Sequence, residues 1–110
     1  MGSVRIIRNE DIETVLMGVP RGHKHIRVCM KLKDKSTMIF QEAIMANILR
    51  AYITIKTHPT ISAQELRMHV LNKTLRKQKY ALHQLLVTSR NEEEIEEELR
   101  ELLEESTVDV

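Results

Sequence analysis

Several features that would assign a small protein to a familiar class are missing from this chain. Cys29 is the only cysteine, which excludes an internal disulfide and a zinc site built from several cysteines. No apolar run approaches the roughly 20 residues of a membrane helix, and there is no secretory signal segment. We therefore expect no membrane association and a cytoplasmic location. A phosphate-binding loop and a dinucleotide fingerprint are also lacking.

Groups suited to catalysis are equally sparse. Cys29 with His23 or His25 could pair a nucleophile with a base, but no helix N-terminus is placed to activate the thiol. The carboxylates of the first half lie at turns or element ends and form no recognisable acid–base pair. They are Glu10, Asp11, Glu13, Asp34 and Glu42. We expect no catalytic residues, no cofactor and a protein that is not an enzyme. An enzyme that uses the loop at Gly22, His23, Lys24 and His25 is the alternative left open.

The length of 110 residues fits a single domain, residues 1–110. Its net charge of +1 hides a strong asymmetry. Residues 1–91 contain 16 Lys and Arg against 6 Asp and Glu, a net charge of +10. Residues 92–110 contain Arg100 against 10 acidic residues, a net charge of −9. A basic body with an acidic tail often accompanies binding to nucleic acid or to another protein.

Residues 1–41 predict an antiparallel β-meander of three or four strands. The clearest strand is residues 25–33, where apolar residues such as Val28 and Leu32 alternate with polar ones. Residues 12–19 fit either a helix or a strand, and we favour the strand because the turn Pro20–Gly22 follows. The predicted strands are residues 4–8, 12–19, 25–33 and 37–41.

Residues 42–88 predict a helical core. The long central helix of this core is residues 42–56, whose apolar stripe is wide enough to cover the meander on one side and further helices on the other. Ser62 and Glu65 resemble a capping box that opens a helix over residues 63–71. We then expect a helix over residues 75–87 and an acidic C-terminal helix over 91–106, capped by Asn91. The predicted fold is α+β, with the meander, the central helix and three further helices.

Residues 66–91 contain no carboxylate. The segment from Ile44 to Leu86 is similar to the three-helix core of helix-turn-helix and winged-helix DNA-binding domains, although no wing hairpin follows. The resemblance implies a basic helix in the major groove, with cations on phosphates and polar groups on base edges. The candidate nucleic-acid-binding residues are Arg67, Lys73, Arg76, Lys77, Lys79, Tyr80, His83 and Gln84. The alternative is a helical pair with a solvated basic face.

Two further hypotheses concern the loop after residue 20 and the tail. The loop could bind an anion, because glycine allows backbone approach and basic side chains surround it. Its residues are Arg21, Gly22, His23, Lys24 and His25. A metal is not expected there, because no third ligand is near, and a basic hairpin turn is the simpler interpretation.

The alternative function is a homodimeric structural or protein-interaction module whose acidic helix packs on the basic body.

Overall fold

The computed structural model describes residues 2–71 and 81–107. These residues form an α+β fold with a three-stranded meander, a long helix, a two-stranded hairpin and a second helix. The elements are β1 (Ile12–Gly18), β2 (Arg27–Leu32), β3 (Thr37–Gln41), α1 (Glu42–Thr57), β4 (Leu66–Val70), β5 (His83–Val87) and α2 (Glu92–Thr107). No helix of this described part is long and apolar enough to cross a membrane.

The predicted meander is confirmed as three antiparallel strands in the order β1-β2-β3. Met17, Val28 and Phe40 are cross-strand partners, so they share one face, and the alternation of β2 places Val28 and Leu32 in the core. Residues 4–8 do not form a fourth strand. They lead instead into a 3-10 turn at Asn9–Asp11.

The expectation of four helices is wrong, because the described residues contain two. In place of the predicted helix over 63–71, β4 pairs with β5 in the register Leu66↔Val87, Met68↔Leu85 and Val70↔His83. The sequence from Leu66 to Val70 alternates apolar and polar side chains. Cross-strand packing of the apolar set therefore prevails over local helical preference.

The turn expected between the predicted helices, residues 72–74, lies outside the described residues, and so do residues 75–80, the first half of the predicted helix over 75–87. The second half of that helix is wrong, since residues 83–87 form β5. The resemblance to a helix-turn-helix core therefore fails. The two elements that should have been its helices are the two strands of one hairpin.

The capping box is also wrong, and both of its residues have long-range partners. Ser62 Oγ lies within hydrogen-bond distance of the carboxylates of Glu92 and Glu96, and its single hydrogen is donated to one of them at a time. Glu65 accepts hydrogen bonds from Thr88 Oγ1 at 3.0 Å and from the Arg90 guanidinium at 2.9 Å. A serine followed three residues later by a glutamate was a misleading signal, because these side chains tie β4 to the start of α2.

Helix α1 lies against β5 more than against the meander that precedes it. Its inner side carries the small or polar residues Ala43, Asn47 and Ala51, and the Asn47 side chain hydrogen-bonds to Gln84 of β5. The expectation that α1 covers the meander with its wide apolar stripe is therefore corrected. Most of that stripe faces outward, with Leu49 and Tyr52 more than half exposed.

Helix α2 begins where the sequence predicts. The Asn91 side chain accepts a hydrogen bond from the Glu93 backbone N–H at 2.7 Å, as an N-cap residue does. Ile95 is buried, and so is Ala63, which follows the residue whose hydroxyl lies beside the Glu92 and Glu96 carboxylates. Later in the helix, Leu99 and Leu102 are exposed. Helix α2 thus docks by its first turns.

Candidate functional site

The residues predicted to bind nucleic acid do not share one helical face. Arg67 and Gln84 lie on one face of the β4–β5 hairpin, whereas His83 lies on the opposite face, because strand neighbours alternate. Arg67 lies 3.5 Å from the Glu65 carboxylate. The other predicted residues, Lys73, Arg76, Lys77, Lys79 and Tyr80, lie outside the described residues.

A cleft of about 540 Å³ lies where one end of the meander meets α1 and β5. We call it the α1–β5 cleft. The pairing of Arg27 with Gln41 brings the start of β2 and the end of β3 together, and α1 begins at the next residue. Its walls are formed by His25, Arg27, Gln41, Glu42, Ala43, Ala46, Asn47, Arg50, Ala81 and Gln84.

Two carboxamides form a fixed polar wall inside the cleft. Asn47 is only 5% exposed, and its Nδ2 donates a hydrogen bond to Gln84 Oε1 at 3.0 Å. Gln84 Nε2 in turn donates to the backbone carbonyl of Ala81 at 3.0 Å. This chain of hydrogen bonds orients both amides and satisfies a buried polar side chain that would otherwise be costly.

Two guanidinium groups flank these amides. Arg50 Nη1 lies 3.4 Å from Asn47 Oδ1, and Arg27 Nη1 donates to the backbone carbonyl of Ile26 at 3.2 Å. Neither arginine forms an ion pair with a carboxylate in the part of the chain that the structure describes. Each therefore retains donors for an added anion, and a guanidinium suits phosphate or carboxylate groups because it can donate in parallel.

The loop predicted to bind an anion reaches the cleft at one residue. His25 lines the cleft, with its Nδ1 3.8 Å from the Glu42 carboxylate. The other carboxylate oxygen of Glu42 accepts a hydrogen bond from the Ile26 backbone N–H at 2.8 Å, which anchors the end of the loop on α1. Gly22 has a positive φ of 84°, as the turn requires. Arg21, Gly22, His23 and Lys24 do not line the cleft.

The acidic tail is held at a different place. Arg90 lies 2.9 Å from Glu65 and 2.8 Å from Glu98, and both carboxylates raise its pKa. The hydrogen bonds from Arg90 and then Thr88 hold the pKa of Glu65 below its ordinary value. No residue of α2 lines the α1–β5 cleft. The tail therefore docks on its own body without closing the cleft.

The other candidate chemistries find little support in the geometry. Cys29 is half-buried and lies opposite Leu16 and Ile39 in the sheet, so its thiol shares a face with apolar side chains. Among residues 2–71 and 81–107, no group of three His, Cys, Asp or Glu side chains is placed to hold a metal ion. The α1–β5 cleft is therefore the candidate functional site.

Sequence reasoning missed most of this cleft. In the sequence, Arg27 is one of the polar residues that alternate with apolar ones along residues 25–33, and Asn47 and Arg50 form the polar side of an otherwise apolar helix. That polar side was the available signal, because a polar residue such as Asn47 within so apolar a helix needs a buried partner. No protein-family model, curated protein or solved structure matches this chain.

Proposed function

We propose that this protein is a non-enzymatic nucleic-acid-binding protein that uses the α1–β5 cleft. The observation that carries the proposal is the pair of guanidiniums, Arg27 and Arg50, that flank the oriented amides of Asn47 and Gln84 and form no ion pair with a carboxylate among residues 2–71 and 81–107. Guanidiniums neutralise phosphates, and the partly buried carboxamide of Gln84, oriented by the buried Asn47, can hydrogen-bond to a base edge. One cleft thus combines the two kinds of group that such binding needs.

The charge distribution supports the same function. Residues 1–91 carry a net charge of +10, which attracts polyanions over a long range. Ala81, which lines the cleft, directly follows residues 72–80 in the sequence. That segment contains the cations Lys73, Arg76, Lys77 and Lys79 and no acidic residue. These cations contribute to the positive charge of the body that attracts a polyanion.

A titration of a labelled random-sequence duplex tests this function. We expect binding that weakens steeply between about 50 mM and about 200 mM salt. Replacing both cleft arginines, Arg27→Gln and Arg50→Gln, should weaken binding and reduce the slope of log affinity against log salt by about 2. The measurement is fluorescence anisotropy at both salt concentrations.

A matched control removes the same charge at the other end of the meander. Arg5 lies 2.8 Å from Asp34 and Arg8 lies 3.9 Å from Glu10, so both are already paired. Arg5→Gln with Arg8→Gln should change binding much less than the cleft variant. Absence of duplex binding by the wild-type protein at the lower of the two salt concentrations would refute the proposal. An equal loss in both variants would show that the cleft is not the site.

The alternative, a module dimerised by its acidic helix, is less favoured. The carboxylates of Glu92 and Glu96 contact Ser62 of the same chain, and Glu98 contacts Arg90 of the same chain. These contacts already occupy the first turns of α2. A tail that docks on its own body has fewer carboxylates left to pair with the body of a second copy.

A further inference from the structure

Helix α1 turns an apolar face towards solvent. We call this set the α1 outer face, and its members are Ile44, Met45, Ile48, Leu49, Tyr52 and Ile53. Leu49, Tyr52 and Ile53 are 56%, 57% and 49% exposed, whereas Asn47 on the inner side of the same helix is 5% exposed. A helix of a monomeric protein normally has the opposite arrangement, with its apolar stripe inside.

The accessible surface area of the whole chain is also larger than a compact monomer would expose. A compact monomer of 12.9 kDa is expected to expose about 6300 Å², and this chain exposes 9310 Å². The excess of about 3000 Å² belongs to the whole chain. The part of the surface that lies on α1 is apolar, with Ile48, Leu49, Tyr52 and Ile53 between 45% and 57% exposed.

We propose that the α1 outer face is a homodimer interface, in which α1 packs antiparallel against α1 of a second copy. A two-fold axis beside Ile48 and Leu49 sets the register of the two helices. In this register each residue of the α1 outer face lies at the same height as an apolar residue of the partner helix. Ile44 lies level with the partner's Ile53, and Met45 lies level with the partner's Tyr52. Most oligomers of identical chains are closed by such two-fold axes, which require a self-complementary surface.

Charge favours a second copy over a different partner. The exposed half of α1 begins near Glu42 and ends near Lys56, the acidic and basic residues of its first and last turns. Antiparallel packing brings Lys56 near the first turn of the partner's α1. The acidic residue of that turn is Glu42, whose side chain is 43% exposed and keeps its hydrogen bond from the Ile26 N–H. The dipoles of the two helices also oppose each other in this arrangement.

The α1 outer face and the α1–β5 cleft lie on different sides of α1, and Glu42 at the start of the helix is near both. The interface does not depend on the proposed nucleic-acid binding. Asn47 and Arg50 project from the inner side of α1, towards Gln84 of β5. The outer face leaves that side uncovered. A dimer formed in this way would carry two open clefts, one on each copy.

The mass in solution tests the interface. Light scattering after size-exclusion chromatography should give twice the 12.9 kDa of one chain. Leu49→Glu should halve that mass, because the axis brings the two introduced carboxylates together in an apolar contact. Ile39→Glu is the matched control, since Ile39 is 67% exposed on β3, outside the interface. It should leave the mass unchanged. A wild-type monomer, or a Leu49→Glu dimer, would overturn the proposal.

A disulfide trap gives a second readout that does not require an unfavourable charge. Cys29 is replaced by serine to remove the native thiol, and Ile48→Cys is added. Because Ile48 lies beside the axis, the two new thiols should approach within disulfide range and form a covalent dimer under mild oxidation. Ile39→Cys in the same background should remain uncrosslinked on a non-reducing gel. Equal crosslinking of both variants would refute the register.

Discussion

At the scale of single residues, the decisive contacts join positions far apart in the sequence. Glu65 and Arg90 are separated by 25 residues, and their ion pair connects the start of β4 to α2. The sequence signal at Ser62 and Glu65 was local, so it predicted a helix cap. The cap at Asn91 was predicted correctly because the carboxamide satisfies a backbone N–H only two residues away. Local sequence patterns predict contacts between residues close in the sequence but not contacts between residues far apart in it.

The Glu65–Arg90 contact predicts a pH dependence of stability. The pKa of Glu65 is lowered in the folded protein from its ordinary 4.5, so its carboxylate stabilises the fold above that pH. This stabilisation is lost as the pH falls through the lowered pKa. Glu65→Gln should therefore reduce the thermal midpoint at pH 7, and its difference from wild type should shrink in acid.

The control for this prediction uses a second carboxylate near the same arginine. Glu94 lies 3.8 Å from Arg90, and its side chain is 68% exposed. Glu94→Gln should lower the thermal midpoint much less than Glu65→Gln, because solvent screens an exposed ion pair. Thermal unfolding followed by circular dichroism at several pH values checks both variants. A Glu65→Gln deficit that persists unchanged at low pH would contradict the assignment.

At the scale of elements, the sequence predicted the meander, α1 and α2 because each has a strong local pattern. Strand β2 alternates, α1 ends before Pro59, and α2 starts at a good cap. The β4–β5 hairpin was missed, although residues 66–70 alternate as clearly as β2 does. Their apolar residues also fit a short helix, and only pairing with residues 83–87 decides between the two. The cleft could not be predicted for the same reason, since β5 forms one of its walls.

The Asn47–Gln84 hydrogen bond should couple α1 to β5 energetically. Gln84→Ala removes the acceptor of a buried amide and should cost about 1–3 kcal/mol of unfolding free energy. Adding Asn47→Ala should cost less than the sum of the two single changes, with a coupling of about 0.5–3 kcal/mol. Urea denaturation of the four proteins in this double-mutant cycle gives the coupling.

A neighbouring residue of β5 provides the control for this cycle. His83 is exposed on the opposite face of the hairpin from Gln84. His83→Ala should change the unfolding free energy by no more than about 0.5 kcal/mol. Additive effects of Asn47→Ala and Gln84→Ala would show that the hydrogen bond does not hold α1 on β5.

At the scale of the whole molecule, the distribution of charge along the chain and the packing of its elements are independent of each other. Counting the charged residues in the sequence was enough to show that the body and the tail carry opposite net charges. It could not reveal that the tail docks on its own body away from the cleft, or that α1 exposes its apolar residues. Periodicity identifies an apolar stripe on a helix. Which side of the helix faces the rest of the chain depends on packing partners such as Gln84.

The acidic tail should weaken polyanion binding through the field of the whole molecule. Glu93, Glu101 and Glu105 are exposed on α2, so Glu→Gln changes there preserve its docking through Ile95 while raising the net charge from +1 to +4. We expect duplex affinity to rise about two- to fivefold at low salt, and the gain to shrink as salt screens the field. Anisotropy titrations at increasing salt measure both effects. Because the tail does not line the cleft, the gain should also persist in the Arg27→Gln and Arg50→Gln variant. A gain confined to the wild-type cleft would mean that the tail competes there directly, and unchanged affinity would mean that its charge has no role.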